Sequence, residues 1–409
     1  MDLEDASKQL NLHVASGYSG MKGIGLADRS SNIIIALRSY NNFVKSALIN
    51  KCPQEAVILD LCSGKGGDLK KWASRKPKYV TFCDIASRSV YECIKRYNDY
   101  LENETRHSAI LLTSADDELD NSIYQNCFPA EFLLGDCFSA PLYDYFKPSF
   151  YQGKANVAPV FDFVSCQFAL HYAFDTEKRA HQALKNIGYL LKPGCCFVCT
   201  IPDKDIILAR LYQNYKKKPE MLKKGASPRL SRPNIYSIDF DPLPEDLDKL
   251  PPFGVMYKFW LNTAIDNIPE PLVDKDSLIS IAAKYGLEPA VIIPFCDFRS
   301  KLASEGTPAR HLSSLAQLWR TFRLDKTRID DAEFEAISIY SAFIFQKKAS
   351  ERPFVPGSIE IPEPTPKTIK DIIPLMTTAE MDAIKEDDEL ALHDLLETEA
   401  NNEIGGIYD

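Results

Sequence analysis

From about residue 56 the chain alternates short apolar runs with amphipathic stretches, and the apolar runs keep ending on acids. Ala56–Leu61 carries Asp60 into a glycine-rich turn, and Tyr79–Ile85 carries Asp84 at its end. Glu131–Leu134 leads into Gly135 and Asp136. Phe161–Phe168 and Cys196–Ile201 read as two further strands, the second entered through a Lys192-Pro193-Gly194 turn. Helical periodicity fills Ser87 to about Glu102 and Thr176–Leu191. Strands alternating with helices build a parallel sheet covered on both faces, with ligands beyond the carboxyl ends of its strands. The expected fold is therefore α/β, a Rossmann-like, mostly parallel twisted sheet. Past Pro202 the pattern is less regular. A helix to about Tyr215, an aromatic strand Val255–Leu261, a helix near Asp276–Tyr285 and strands Ala290–Phe295 and Ile337–Phe345 are expected to complete it.

Charge divides the chain unevenly. The net charge is −9, yet residues 379–409 hold 11 acids against Lys385 alone, which is −10 and leaves +1 for residues 1–378. Such tails usually stay solvated. Eight bases between Arg210 and Arg232, opposed only by Glu220, form a local positive patch that suits solvent, import or RNA about equally. Prolines at 353, 356, 362, 364 and 366 mark a linker. The boundaries read as an N-terminal arm over 1–28, the main folded domain over 29–349, a proline-rich linker over 350–378 and the acidic tail over 379–409. No window approaches a membrane span, the N-terminus is acidic rather than signal-like, and an odd 11 cysteines make a poor disulfide framework. An intracellular protein that keeps off membranes is expected. Cys196 and Cys199 fall inside a strand without a partner pair, so no metal site is expected.

The segment Leu59-Asp60-Leu61-Cys62-Ser63-Gly64-Lys65-Gly66-Gly67-Asp68-Leu69 lies between a strand and a helix, where glycines let backbone approach a ligand closely. It lacks the Ser or Thr that follows the lysine of a P-loop. Together with Asn41-Asn42-Phe43-Val44-Lys45, Asp84-Ile85-Ala86, Arg96-Tyr97 and Ser165-Cys166-Gln167-Phe168-Ala169-Leu170-His171-Tyr172-Ala173-Phe174, it resembles the mRNA cap guanine-N7 methyltransferases. Phe253-Gly254, Tyr257, Phe259, Pro269-Glu270 and Ile339-Tyr340 continue the resemblance in order, over roughly residues 30–347. The ordered QFxxHYxF and NNxxK elements make it specific.

The resemblance implies a class I methyltransferase that takes its methyl group from S-adenosylmethionine. By family position Lys45, Cys62, Asp68, Asp84, Asp136, Gln167 and Tyr172 would hold that donor. Asn41, Asn42, Lys65, Lys71, Arg96, His171, Glu270 and Tyr340 would face the capped RNA end. Cys62 stands where the family has glycine, and Pro271 where it has an aromatic residue. Guanine N7 carries a free lone pair at neutral pH, so the reaction needs no general base. Alignment and electrostatics, with Glu270, His171 and Tyr172 at the centre, must supply the catalysis. A carboxylate at Glu270 can accept from guanine N1–H and its exocyclic amine, a pairing adenine does not offer in the same way.

A weakly active or inactive cap- or RNA-binding scaffold is the alternative, and a small-molecule acceptor is a third reading that leaves Glu270 and the basic residues unexplained. Expected partners are 5′-capped RNA, with other capping enzymes or the transcription machinery as further candidates. A monomer acting in the nucleus completes the expectation.

Overall fold

In the computed structural model of the protein, residues 3–20, 33–112, 127–149, 159–222, 227–240, 247–303, 309–349 and 361–375 are described. The chain opens with helices α1 (Leu3–Gly20) and α2 (Ile35–Ile49). It then enters β1 (Val57–Leu61), α3 (Leu69–Ala73), β2 (Tyr79–Asp84), α4 (Ser87–Leu112) and β3 (Ala130–Leu134). Helix α5 (Leu142–Ser149), β4 (Phe161–Gln167), α6 (Glu177–Leu190) and β5 (Leu191–Pro202) follow. Strands β1, β2 and β3 lie side by side in that order, and the chain then returns to place β4 on the other side of β1 and β5 beyond it. These neighbours pair in parallel. The reversal puts the switch point at the carboxyl ends of β1 and β4, where open α/β sheets bind their ligands.

Every residue of β1 and of β2 is buried, as expected of strands covered on both faces. The side chains divide by alternation. Val57, Leu59 and Leu61 join the apolar cluster of α5, α6 and Val14 of α1. Ile58, Val80 and Phe82 join the opposite cluster, with Trp72 of α3 and Val90, Ile94 and Tyr97 of α4. Thr176 caps α6 by accepting from the Arg179 backbone N–H at 3.3 Å.

Beyond α7 (Lys204–Asn214) a second, four-stranded antiparallel sheet forms from β6 (Arg229–Arg232), β7 (Tyr236–Asp239), β8 (Met256–Leu261) and β9 (Ile265–Pro271). The expected aromatic strand is β8, but it belongs to this sheet. Tyr257 and Phe259 are buried on one face, while Lys258 between them is exposed. Strands β6, β7 and β9 escape the sequence pattern because they are short, polar or proline-bearing. Helix α8 (Lys275–Lys284), β10 (Leu287–Pro294), α9 (Phe298–Leu302), α10 (Ala309–Thr321), α11 (Asp331–Ile337) and β11 (Tyr340–Lys347) return the chain to the large sheet. Strand β11 runs antiparallel between β5 and β10.

Two boundaries differ from the sequence expectation. Helix α1, within the expected arm, buries Val14 and lays Gly17 against Ile268 of β9. The expected linker carries β12 (Ile372–Pro374), which pairs in parallel with β3 and extends the large sheet to eight strands. Proline-rich composition masked this short apolar triplet.

Gly188 of α6 lies where an added Cβ would meet the Tyr285 carbonyl oxygen at 2.5 Å. Gly188→Ala is therefore expected to destabilise the fold by about 1–3 kcal/mol through overpacking. Urea unfolding checks this, and an unchanged midpoint would show that α6 and α8 can separate freely.

Candidate active site

The glycine-rich loop after β1 meets a compact charge cluster. Asp68 is buried, and its carboxylate pairs with Lys45 at 2.8 Å and Lys71 at 2.7 Å. Burial alone would raise the Asp68 pKa, but Lys45 and Lys71 outweigh it and hold the carboxyl below its ordinary range. Lys71 also donates to Asn42 Oδ1 at 3.0 Å. This joins the NNxxK element on α2 to the loop. The glycine substitute Cys62 adopts φ +54°, the left-handed conformation for which glycine is the usual choice. Its Sγ lies 3.8 Å from that of Cys137. An added Cβ would meet nothing within 4 Å at Gly64 or Gly67, so the loop borders open space.

Asp84 closes β2. Its two oxygens accept from the backbone N–H groups of Gly64 at 2.8 Å and Ala86 at 2.9 Å. Burial nevertheless pushes its pKa up to about 6. Asp136 follows β3, and its carboxylate accepts from Phe138 N–H, Ser139 Oγ–H and Asn11 Nδ2 of α1. Gln167 closes β4 and donates to Ser165 Oγ at 3.1 Å while accepting from Thr200. Three successive strand ends therefore present Asp84, Asp136 and Gln167 along one edge of the sheet.

Arg179, a residue that sequence reading missed, joins this edge to the second sheet. Buried at 6% exposure, its guanidinium donates to Asp136 at 3.1 Å, to Asp175 at 2.6 Å and to the Tyr172 carbonyl at 2.7 Å. It sits between Lys178 and Ala180 in a helix that reads as an ordinary polar first turn, so sequence gives no sign of its direction.

Beyond the tether lies Glu270 of β9, 2% exposed. Tyr257 donates to Oε2 at 2.7 Å and Tyr172 donates to Oε1 at 3.2 Å. His171 Nε2 lies 3.6 Å from Oε2, and neither His171 ring nitrogen has a hydrogen-bond partner among the described residues. Asn41 Oδ1 is likewise buried and unpartnered there. Buried polar atoms without partners are rare and call for an explanation such as a ligand. Tyr257 is a second functional residue that the sequence placed only within a motif. Tyr172, expected beside the donor, shares its hydroxyl with Glu270. Pro271 closes β9 opposite Met256, and Glu270 is held by hydroxyls rather than by a following ring.

The remaining candidates sit around this core. Lys65 pairs with Glu92 at 2.7 Å. Arg96 is half-buried on α4. Tyr340 meets Phe168 edge-on at 5.0 Å, and Phe168 is held at φ +60°. Of the basic cluster, Lys216, Lys217 and Lys218 are exposed, whereas Arg210, Arg229 and Arg232 engage Ser338, Asp239 and Glu335. Lys223 and Lys224 lie outside the described residues. Cys196 and Cys199 occupy β5 as free thiols. Among the described residues no group of three or more His, Cys, Asp or Glu is placed to hold a metal ion, and no helix is long and apolar enough to cross a membrane.

The donor set suits S-adenosylmethionine: carboxylates for a diol and an ammonium group, a lysine for a carboxylate, and open glycine backbone. Two outcomes follow. Arg179→Met should leave Asp136 and Asp175 without their buried counter-charge, lowering stability by about 3–5 kcal/mol and weakening S-adenosylhomocysteine binding. Thermal unfolding and calorimetry measure the two effects. The Asp84 pKa rises from 3.8 to about 6 on folding, so its protonated form is favoured in the folded chain and that stability is lost as pH climbs through this window. If Asp84 takes the ribose hydroxyls, as the resemblance implies, binding needs its carboxylate form. Cofactor affinity should fall by up to about tenfold per pH unit below the folded pKa, and Asp84→Asn should flatten that limb of the titration.

Comparison with known proteins gives the same picture from outside the structure. Residues 2–348 match the family model described as the mRNA (guanine-N(7))-methyltransferase domain. The chain is 33% identical to mRNA cap guanine-N(7) methyltransferase 1 of Oryza sativa subsp. japonica, over 82% of this chain and 81% of that one. It is 30% identical to the mRNA cap guanine-N(7) methyltransferase of Schizosaccharomyces pombe, over 82% of each chain. With that of Drosophila melanogaster it shares 33% identity over 76% of this chain and 66% of the other. A match that runs from α1 to β11 and takes in every candidate residue above places the chain in the mRNA (guanine-N(7))-methyltransferase family.

Proposed function

We infer that the protein transfers a methyl group from S-adenosylmethionine to N7 of the guanosine cap of mRNA. The observation that carries this reading is Glu270, a fully buried carboxylate whose counterparts are two tyrosine hydroxyls and an imidazole whose nitrogens have no hydrogen-bond partner among the described residues. Burying a carboxylate is costly unless its lone pairs are satisfied. Each oxygen here accepts one hydroxyl hydrogen bond, and a carboxylate has about four acceptor positions. The remaining lone pairs suit the N1–H and amine edge of guanine.

S-adenosylmethionine, when bound, supplies an electrophilic methyl group on a sulfonium centre. Asp84 would take its ribose hydroxyls, Lys45 and Asp68 its amino-acid end, with Asp136, Gln167 and the backbone at Cys62 lining the rest. Tyr172 and Tyr257 fix the Glu270 carboxylate before the base arrives, so no reorganisation is required during the reaction. The negative charge of Glu270 favours the positive charge that N7 methylation leaves on guanine. His171 and Asn41 offer unpartnered polar atoms to the capped end, and Tyr340 with Phe168 offers aromatic surface. Lys65, Lys71 and Arg96 provide charge for the triphosphate, with Asn42 positioning Lys71. No side chain has to remove a proton.

A nuclear site of action suits a substrate made during transcription. Other capping enzymes or the transcription machinery are proposed neighbours, and the catalytic unit is proposed to act as a monomer.

Glu270→Gln keeps the shape and removes the charge. Turnover on GpppA should fall about 10²–10³-fold, the usual effect of losing a preorganised electrostatic group. Affinity for S-adenosylhomocysteine should stay constant, since the proposed partner is the base. Steady-state kinetics with both substrates varied test this, and wild-type kcat and cap KM would remove Glu270 from the reaction. A scaffold reading would instead show no methylated product from the unmodified chain.

A further inference from the structure

The segment 361–375 lies beyond the residues matched by the family model, yet it is fastened to helix α4 at Lys367 and to strand β3 over 372–375. At its start, Asn98 of α4 grips one backbone unit. Its Nδ2 donates to the Lys367 carbonyl at 2.7 Å, and its Oδ1 accepts from the Lys367 N–H at 2.8 Å. A turn follows in which Asp371 accepts from the Thr368 N–H and hydroxyl. Strand β12 then pairs Ile372, Ile373 and Pro374 with Phe132, Leu133 and Leu134. Ile372 packs on one apolar cluster and Ile373 and Leu375 on the other, so the segment seals both faces of the sheet edge.

Its far end falls at the cofactor edge. The Leu375 N–H donates to the Leu134 carbonyl at 2.8 Å. The next residue on that strand, Gly135, has φ +152° and leaves no room: an added Cβ would stand 2.7 Å from Leu375 Cβ. Gly135 also donates its N–H to the Asp84 carbonyl at 2.9 Å. It thus lies between the backbone of one donor-binding acid and the side chain of the next, Asp136, with Leu375 as its outer wall.

We propose that residues 361–375 form a positioning strap for the cofactor site, with Leu375 and Asn98 as its two fastenings. The strap holds the Gly135 backbone in place and through it the spacing of Asp84 and Asp136. This proposal rests on the reading of those two acids as the S-adenosylmethionine site. A strap that merely closed a sheet edge would affect stability alone, whereas a positioning strap also affects cofactor affinity in the fully folded protein.

The full chain carrying Asn98→Ala together with Leu375→Pro loses the backbone grip and the N–H donated to Leu134. Calorimetry with S-adenosylhomocysteine, well below the melting temperature, should show binding weakened about tenfold, the effect of roughly one lost hydrogen bond. The KM for S-adenosylmethionine should rise in step, while kcat at saturating donor and the KM for GpppA stay within about twofold, since neither fastening touches the capped end. Ile369→Ser, an exposed change in the same segment, should leave binding as in the unmodified chain. If the double variant unfolds, Asn98→Ala alone is measured and should weaken binding in the same direction. A folded double variant, or the single variant in its place, with unaltered cofactor affinity would overturn the proposal. An unmodified chain that fails to bind S-adenosylhomocysteine would overturn the cofactor reading itself, and the strap with it.

Discussion

The buried guanidinium of Arg179 is the interaction on which the two halves of the site depend. It reaches the carboxylate of Asp136 on the cofactor edge and the carbonyl of Tyr172, whose own hydroxyl reaches Glu270 on the second sheet. Arginine suits this place because its planar fork satisfies several acceptors in fixed directions. Burial opposes its charge, and the two neighbouring aspartates more than compensate, which raises its pKa further. The consequence is geometric. On the proposed assignment the methyl donor lies at the large sheet and the guanine edge at Glu270 of the second, and a direct displacement tolerates little error in their separation. A rigid ionic link between the two loci serves that need better than apolar contact, which has no direction.

The site spends charge selectively. Around the glycine-rich loop two lysines surround Asp68, leaving net positive charge beside the open glycine backbone. Around Glu270 the protein supplies neutral tyrosine hydroxyls instead of cations. Backbone strain is placed in the same region. Cys62 and Phe168, at the ends of the adjacent strands β1 and β4, both take positive φ, which costs roughly 1–2 kcal/mol for a residue with a side chain. Phe168 is held there by two hydrogen bonds to Thr200. The switch point of the sheet is thus the place where the fold tolerates unfavourable backbone in order to shape a cleft.

Much of this was legible in sequence for identifiable reasons. Parallel strands buried on both faces read as continuous apolar runs, so β1, β2 and β4 stood out, and the polar residues Asp84, Asp136 and Gln167 marked the carboxyl edge. Helix α6 stood out through its periodicity. The second sheet was hidden because Arg229–Arg232 and Ile265–Pro271 carry polar residues and prolines where strand patterns call for alternation. Arg179 was hidden because direction, not identity, gives it its role. The sequence of β12 is only three residues long and is set among prolines, so composition outweighed pattern. Cys62 stands where the family has glycine, and the structure shows the backbone taking positive φ with cysteine in place.

Trp72 has a spectroscopic consequence. Its indole is completely buried in the helix after the glycine-rich loop and donates to Asp60 at 2.9 Å, while burial and the charge of Asp68 push Asp60 up to about 8. The other two tryptophans, Trp260 and Trp319, sit in the second sheet and on α10. One of three emitters therefore reports on the short helix that follows the glycine-rich loop without any label. A single hydrogen bond links it to a carboxyl whose pKa burial raises well above the ordinary carboxylate range. Loop order and the ionisation of Asp60 can thus be followed optically in the same sample used to measure turnover.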